Sequence, residues 1–282
     1  MIVLWFTRHI AHKFVWRNEK MRLKIIFLPM QRKFVLPINL NAFIRSLIRE
    51  HITEFGSLCE EQVYGIDKSR GKFNEEFDCY TFSQLHIPHR QIKGDQIVGE
   101  QCEVSLFVSS PNEPFIYCLM QALSELDKVM IADTPFSLSE LEILPPLTIV
   151  SPAFFSCMSP IVVTHPSDFE YIQFALPQDY DLSKYLSEIM RLRYEDCTGV
   201  ALPEAEIQLQ FDANYVLNRG GKITKLINIP NPENGANLRV KGFLAPIILS
   251  GDEKLIRFAF DSGLGVMTSD GFGMLESLGA PV

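Results

Sequence analysis

The stretch Asp261-Ser-Gly-Leu-Gly-Val-Met-Thr-Ser-Asp-Gly-Phe-Gly-Met-Leu-Glu276 decides how the rest of the chain is read. Gly263, Gly265, Gly271 and Gly273 form two Gly-x-Gly pairs with five residues between them. Glycine adopts positive φ at little steric cost and lets another backbone come close. Lying between an amphipathic run, Lys254 to Phe260, and a short apolar run, the pairs predict a rigid loop laid against a neighbour with its amide N–H groups exposed. Amides gathered in this way bind phosphate oxygens. A glycine-rich turn that only packs has the same pattern, and spacing alone leaves both readings open. Two common phosphate motifs do not fit. A dinucleotide fingerprint needs a third glycine where Thr268 stands and a helix after the loop, and a P-loop needs a Gly-Lys pair that is absent here.

Outward from the loop, hydrophobic periodicity supplies the elements. Gly251-Asp-Glu opens the helix before the loop, with acids in its first turn as the helix dipole favours. Arg239 to Leu249 reads as one strong strand, Pro230 to Asn237 as a hairpin or insertion loop, and Lys222 to Ile229 and Glu206 to Phe211 as strands. Leu182, Tyr185, Leu186, Ile189 and Met190 mark a helix, and Ala153 to Thr164 a strand. Pro145-Pro146 reads as a linker. Upstream, the same order occurs once already. Arg22 to Leu28 is a strand; Asn39 or Asn41 caps a helix with an apolar stripe at Ile44, Leu47, Ile48, Ile52 and Phe55. After a polar loop, Glu60 to Glu76, come strands at Phe77 to Ile87 and Glu103 to Val108, a helix from Pro111 to Leu126, and a strand from Phe136 to Leu144. The order β-α-β-β-α-β is the split βαβ pattern. The expected fold class is α+β, as two tandem ferredoxin-like (βαββαβ) domains at 21–146 and 147–282. Residues 1–20 are a poor signal peptide. Either Met21 is the natural start or they form a loosely attached extension.

The 282 residues carry a net charge of −8, which argues against a general nucleic-acid binder. Residues 1–100 hold 15 Lys/Arg against 11 Asp/Glu, whereas the remainder holds 11 against 23, so a polyanion is expected to prefer the N-terminal half. Cys59, Cys79, Cys102, Cys118, Cys157 and Cys197 include no Cys-x-x-Cys pair and read as free thiols of a cytoplasmic protein. No apolar run reaches the length of a membrane span.

Gly-x-Gly, five residues and Gly271-Phe-Gly-Met274 at the C-terminal end resemble the CRISPR repeat-processing endoribonucleases, the Cas-six family of the RAMP superfamily. Supporting segments follow in order over residues 21–276: Met21-Arg-Leu-Lys-Ile, Leu36-Pro-Ile-Asn, Tyr80-Thr-Phe-Ser-Gln-Leu with Ile87 to Gly94, Phe107-Val-Ser-Ser, Met158-Ser-Pro-Ile-Val and Val240-Lys-Gly-Phe. The resemblance implies a protein that binds the repeat of a CRISPR transcript and cuts it once without metal or cofactor. The 2′-hydroxyl beside the scissile phosphate attacks, giving a 2′,3′-cyclic phosphate. Such a step wants a base, positive charge on the developing oxyanions and an acid for the leaving oxygen. CRISPR repeat RNA is the implied partner, with other CRISPR effector proteins as further ones; no membrane is involved, and the chain is a monomer or homodimer.

Many family members carry a histidine in the loop after the first helix. Here the matching positions hold Gln62, Val63 and Tyr64, and no histidine lies between Phe55 and Tyr80. The catalytic candidates are therefore Arg45, Arg49, His51, Tyr64 and Lys68. Arg45 matches a family position on the first helix, and Arg45 and Arg49 are i, i+4 neighbours on its solvent side. His51 lies about −20° from Ile44 in helical phase, which predicts a core position. Arg70 and Lys72 extend the basic run begun by Lys68 and are candidates for RNA binding. Gly263, Gly265, Thr268, Ser269, Gly271, Phe272 and Gly273 complete that set, Thr268 and Ser269 as hydroxyl donors. Val266 and Met267 stand where the family often has a charge. His86 and His89 read as strand-end residues, His9 and His12 fall in the extension, and His165 has no assigned role. A non-catalytic RNA-binding RAMP protein is the rival reading. A pair of ferredoxin-like domains with an unrelated ligand is the third.

Overall fold

The computed structural model describes residues 21–63, 79–166, 172–230 and 237–279. The first half contains strand β1 (Met21–Pro29), β2 (Lys33–Pro37), helix α1 (Asn41–Val63), β3 (Thr81–Phe82), β4 (Gln91–Lys93), β5 (Gln96–Glu100), β6 (Val104–Ser110), α2 (Glu113–Ser124), β7 (Val129–Ile131) and β8 (Thr134–Leu144). Its main sheet is antiparallel in the order β3-β6-β1-β8-β7. β1 lies at the centre, with Ile25 opposite both Leu106 and Leu141. Strand alternation sends Leu23, Ile25 and Phe27 into the core, where Ile44, Leu47 and Ile48 of α1 and Phe115, Ile116 and Leu119 of α2 cover them. Asn112 caps α2 by accepting from the Phe115 amide, and Pro114 sits in the first turn, where its missing N–H costs nothing.

The second half contains β9 (Ala153–Cys157), α3 (Leu182–Thr198), β10 (Ile207–Phe211), α4 (Ala213–Asn218), β11 (Thr224–Pro230), β12 (Asn237–Phe243), β13 (Ile247–Gly251), α5 (Glu253–Ser262) and β14 (Leu275–Ser277). Its sheet runs β10-β13-β9-β14. With β3-β6-β1-β8 in the first half, both halves order their strands second, third, first, fourth. Asp252 caps α5 through the Lys254 and Leu255 amides. α3 buries Leu182, Leu186 and Met190 and ends at Gly199, whose φ of 69° closes the helix in the left-handed region.

Several elements differ from the sequence reading. Arg239 to Leu249 is two strands: β12 pairs with β11 as a separate ribbon, and β13 joins the main sheet. Pro246 lies between them and cannot donate to a ladder. The strand expected from Ala153 ends at Cys157, and that expected around Phe77 to Ile87 is two residues long among those described. β2-β5-β4 form a small extra sheet, and α4 is an extra short helix.

The halves are tied together at several places. Arg22 of β1 donates to the Phe260 carbonyl of α5 at 3.1 Å, and its guanidinium stacks 4.2 Å from the Phe260 ring centroid. Burial pulls its pKa down to about 10, partly offset by Asp261 and Glu276, so it stays charged at neutral pH. Cys79 and Cys197 form a disulfide, with Cα atoms 6.2 Å apart, which corrects the expectation that all six cysteines are free. The pair is 118 residues apart in sequence, and only the docking of α3 beside the segment leading into β3 brings the two together. Cys102 and Cys157 are free, and burial pushes the Cys157 thiol up to about 12. No helix among the described residues is long and apolar enough to cross a membrane.

Candidate nucleic-acid interface

The glycine-rich loop lies on the seam between the halves. Gly271 has φ +81°, and a Cβ there would overlap the Phe82 ring of β3. Gly273 has φ +74°, and a Cβ there would overlap the Leu264 carbonyl. The second pair of glycines is thus required by close packing as well as by backbone conformation. Thr81 donates its hydroxyl to the Phe272 carbonyl at 2.8 Å, and Phe272 is fully buried.

Six of the loop's amides, expected to be exposed, donate within the fold. Leu264 donates to the Gly273 carbonyl, Gly265 to the Met190 sulfur, Val266 to the Val162 carbonyl and Gly273 to the Pro160 carbonyl. Asp270 and Gly271 donate within the turn Thr268–Asp270, to Met267 and Thr268. The loop folds its amides onto its own scaffold because buried N–H groups need partners. Thr268 and Ser269, expected to offer hydroxyls outward, are buried. The Thr268 Oγ1 accepts from Arg193 at 2.9 Å. Gly263, Gly265, Gly271, Phe272 and Gly273 therefore build the seam, and their positions leave little of the loop outside it.

α1 meets the loop tip. Asn41 Nδ2 donates to the Asp270 carbonyl at 2.6 Å, so its side chain fastens the loop to the start of the helix. Arg45 Nη1 lies 2.6 Å from Asp270 Oδ1, with both side chains partly buried. Arg45 is thus brought to the loop, as a paired cation. Arg49 is exposed one turn further on. His51 is half-buried, whereas its phase predicted a core position. Phase fixes the direction in which a side chain leaves a helix, not whether a neighbouring element reaches that turn. Tyr64, Lys68, Arg70 and Lys72 lie outside the described residues, as do His9, His12 and the expected extension at 1–20.

The ribbon β11–β12 adds cations the sequence reading passed over. Ile227, Ile229 and Val240 face inward and pack with Phe272 and Val162, with Val266 and Met267 against them. The opposite face holds Leu226, Asn228, Arg239 and Lys241, with Asn228 opposite Arg239 and Leu226 opposite Lys241. Lys222, Lys225, Arg239 and Lys241 are exposed, and the described ribbon residues include no acid. α1, the helix that carries Arg45 and Arg49, touches β11 of this ribbon. The alternation Lys225-Leu-Ile-Asn-Ile229 and Arg239-Val-Lys241 was the available signal. The acidic total of the C-terminal half hid this local basic strip.

Residues 144–277 match the family described as CRISPR associated protein Cas6, C-terminal. The chain is 27% identical over 268 residues to CRISPR-associated endoribonuclease Cas6 2 of Methanocaldococcus jannaschii, covering 92% of this chain and all of that protein. It is 26% identical over 263 residues to the endoribonuclease-like protein Cas6nc of Pyrococcus horikoshii, covering 91% of this chain and 99% of the relative. Among solved structures, a Cas6-related protein from Pyrococcus furiosus superposes with a TM-score of 0.74 at 22% identity, covering 93% of this chain and 100% of the other. A structure described as a RAMP protein binding different RNA substrates superposes at 0.73 with 22% identity, covering 92% and 100%. Residues 144–277 thus match the C-terminal Cas6 family, and over about nine-tenths of its length the chain is similar to Cas6 proteins of CRISPR systems.

Proposed function

We propose that this protein binds CRISPR repeat RNA and cuts the precursor transcript into guide RNAs, with the bond broken by attack of the neighbouring 2′-hydroxyl and without a metal ion. Its fold is read as two tandem ferredoxin-like halves, 21–146 and 147–282; the shared strand order supports this. The observation that carries the functional reading is the set of exposed cations on the β11–β12 ribbon, which packs on the buried loop at the seam and touches α1. A phosphate backbone is bound chiefly through such cations. Arg45 and Arg49 would place charge near the reacting phosphate, and a cation on the developing oxyanion is worth about 3 kcal/mol in comparable sites. His51 is partly accessible, so a proton-transfer role for it stays within the proposal. Tyr64, Lys68, Arg70 and Lys72 belong to the proposed site by sequence position alone. The setting is cytoplasmic, with the chain acting as a monomer or homodimer alongside other CRISPR effector proteins.

Incubating the protein with a labelled repeat and mapping the product ends tests the reading. One cut leaving a 2′,3′-cyclic phosphate is expected, and an uncut repeat held tightly would establish the second reading. That second reading, a repeat-binding protein that does not cut, is favoured by one observation. Arg45, whose position in the sequence resembles a family site position, is already paired with Asp270.

A further inference from the structure

Arg193 of α3 makes five hydrogen bonds to the loop region. Nη1 donates to the Gly263 carbonyl at 2.7 Å and the Gly265 carbonyl at 2.9 Å. Nη2 donates to the Ser262 carbonyl at 2.9 Å, the Ser262 Oγ at 3.3 Å and the Thr268 Oγ1 at 2.9 Å. Its guanidinium lies 5.6 Å from the Phe258 ring centroid. One planar group thus joins the loop's entry to the turn at Thr268. Asp270, two residues beyond Thr268, holds Arg45 of the other half, and the Gly271 amide bonds back to the Thr268 carbonyl at 2.9 Å. The turn is short and internally bonded, so moving its Thr268 end moves Asp270 with it.

We infer that Arg193 is a positioning residue: it sets the shape of the glycine-rich loop and, through Asp270, the place of Arg45. The inference rests on the RNA-processing reading only for its effect on cleavage. Arginine is required for geometry. Its fixed fork reaches separated acceptors at once, whereas a lysine ammonium is a single point with three donors. Nothing at the end of α3 resembles an active site, so the role appears only when the loop's carbonyls are traced to their donors.

The test uses the full chain carrying Arg193→Lys, Arg45→Gln or both. Amide exchange is followed at Leu264, Val266 and Gly273, with Leu23 and Ile25 of β1 as internal reference. Loop exchange should rise about tenfold in Arg193→Lys while the β1 amides keep their rates, since local opening need not involve the whole fold. Unchanged loop exchange would overturn the inference. With repeat RNA at saturation, Arg193→Lys should slow single-turnover cleavage about tenfold, and adding Arg45→Gln should cost much less than the product of the two single effects. Independent effects would show that Arg193 does not act through Arg45. The salt slope of repeat binding should be the same in Arg193→Lys as in the unaltered protein, and a slope smaller by about 0.7 would mean direct phosphate contact instead. If the unaltered protein leaves the repeat uncut, the cleavage reading fails by itself, and the exchange measurement still decides Arg193.

Discussion

Arg45 of α1 and Asp270 of the glycine-rich loop form an ion pair at 2.6 Å although 225 residues separate them in the chain. Asn41, one turn earlier on the same helix, donates to the carbonyl of that same Asp270. The first helix of one half is therefore latched to the last loop of the other by two side chains. Asp270→Ala removes the carboxylate and leaves Arg45 unpaired in a partly buried position. The expected loss is about 1–3 kcal/mol, the range for leaving a buried polar group without its partner. Chemical denaturation checks it, and an unchanged midpoint and slope would show that the latch contributes nothing to stability.

Gly271→Ala tests whether the loop is a packed seam. The new Cβ meets the Phe82 ring at a positive φ, so overpacking and backbone strain add to about 2–5 kcal/mol. Gly94 is the control: its φ is +63°, but a Cβ there meets nothing within 4 Å. Gly94→Ala should cost only about 1–2 kcal/mol. Equal losses at the two sites would mean that close packing at Gly271 is not what requires glycine.

β1, β6, β8, β10 and β11, and the helices α2, α3 and α5, were legible because their signals are local. Alternation in β1 and the caps Asn112 and Asp252 need no knowledge of the partner. The glycine spacing announced positive φ and close approach, and both are present. It did not say which way the amides point, because that depends on Pro160, Val162 and Met190, far away in sequence. Arg193 left a fainter mark. It follows Met190 by three residues and Leu186 by seven, so it continues the buried stripe of α3 as a charge where an apolar residue is expected. The Cys79–Cys197 pairing left none, since spacing does not encode a contact made by docking two halves.

The disulfide closes 118 residues of chain. In the chain-entropy account a loop of that size is worth about 4–5 kcal/mol. Peptide mapping without reductant should recover Cys79 and Cys197 in one linked fragment, and Cys197→Ser should lower stability toward that of the reduced protein. Free thiols at both positions under oxidising conditions would remove the crosslink from the account.

The ribbon β11–β12 is expected to carry part of the RNA. Lys225→Ala, Arg239→Ala and Lys241→Ala each remove an exposed cation, so folding should be little affected. Each one that contacts phosphate should reduce the slope of log K against log salt by about 0.7. The check is a salt titration of repeat binding for each variant. Full affinity and slope in a variant lacking all three would move the RNA elsewhere.

The most direct test of the central claim pairs a labelled CRISPR repeat from the host's own array with a shuffled RNA of equal length, incubated with the unaltered protein in excess EDTA. The account predicts tighter binding of the repeat and one cut in it, leaving a 2′,3′-cyclic phosphate on the upstream fragment and a 5′-hydroxyl on the downstream one. Equal binding of the two RNAs with neither of them cut would contradict it.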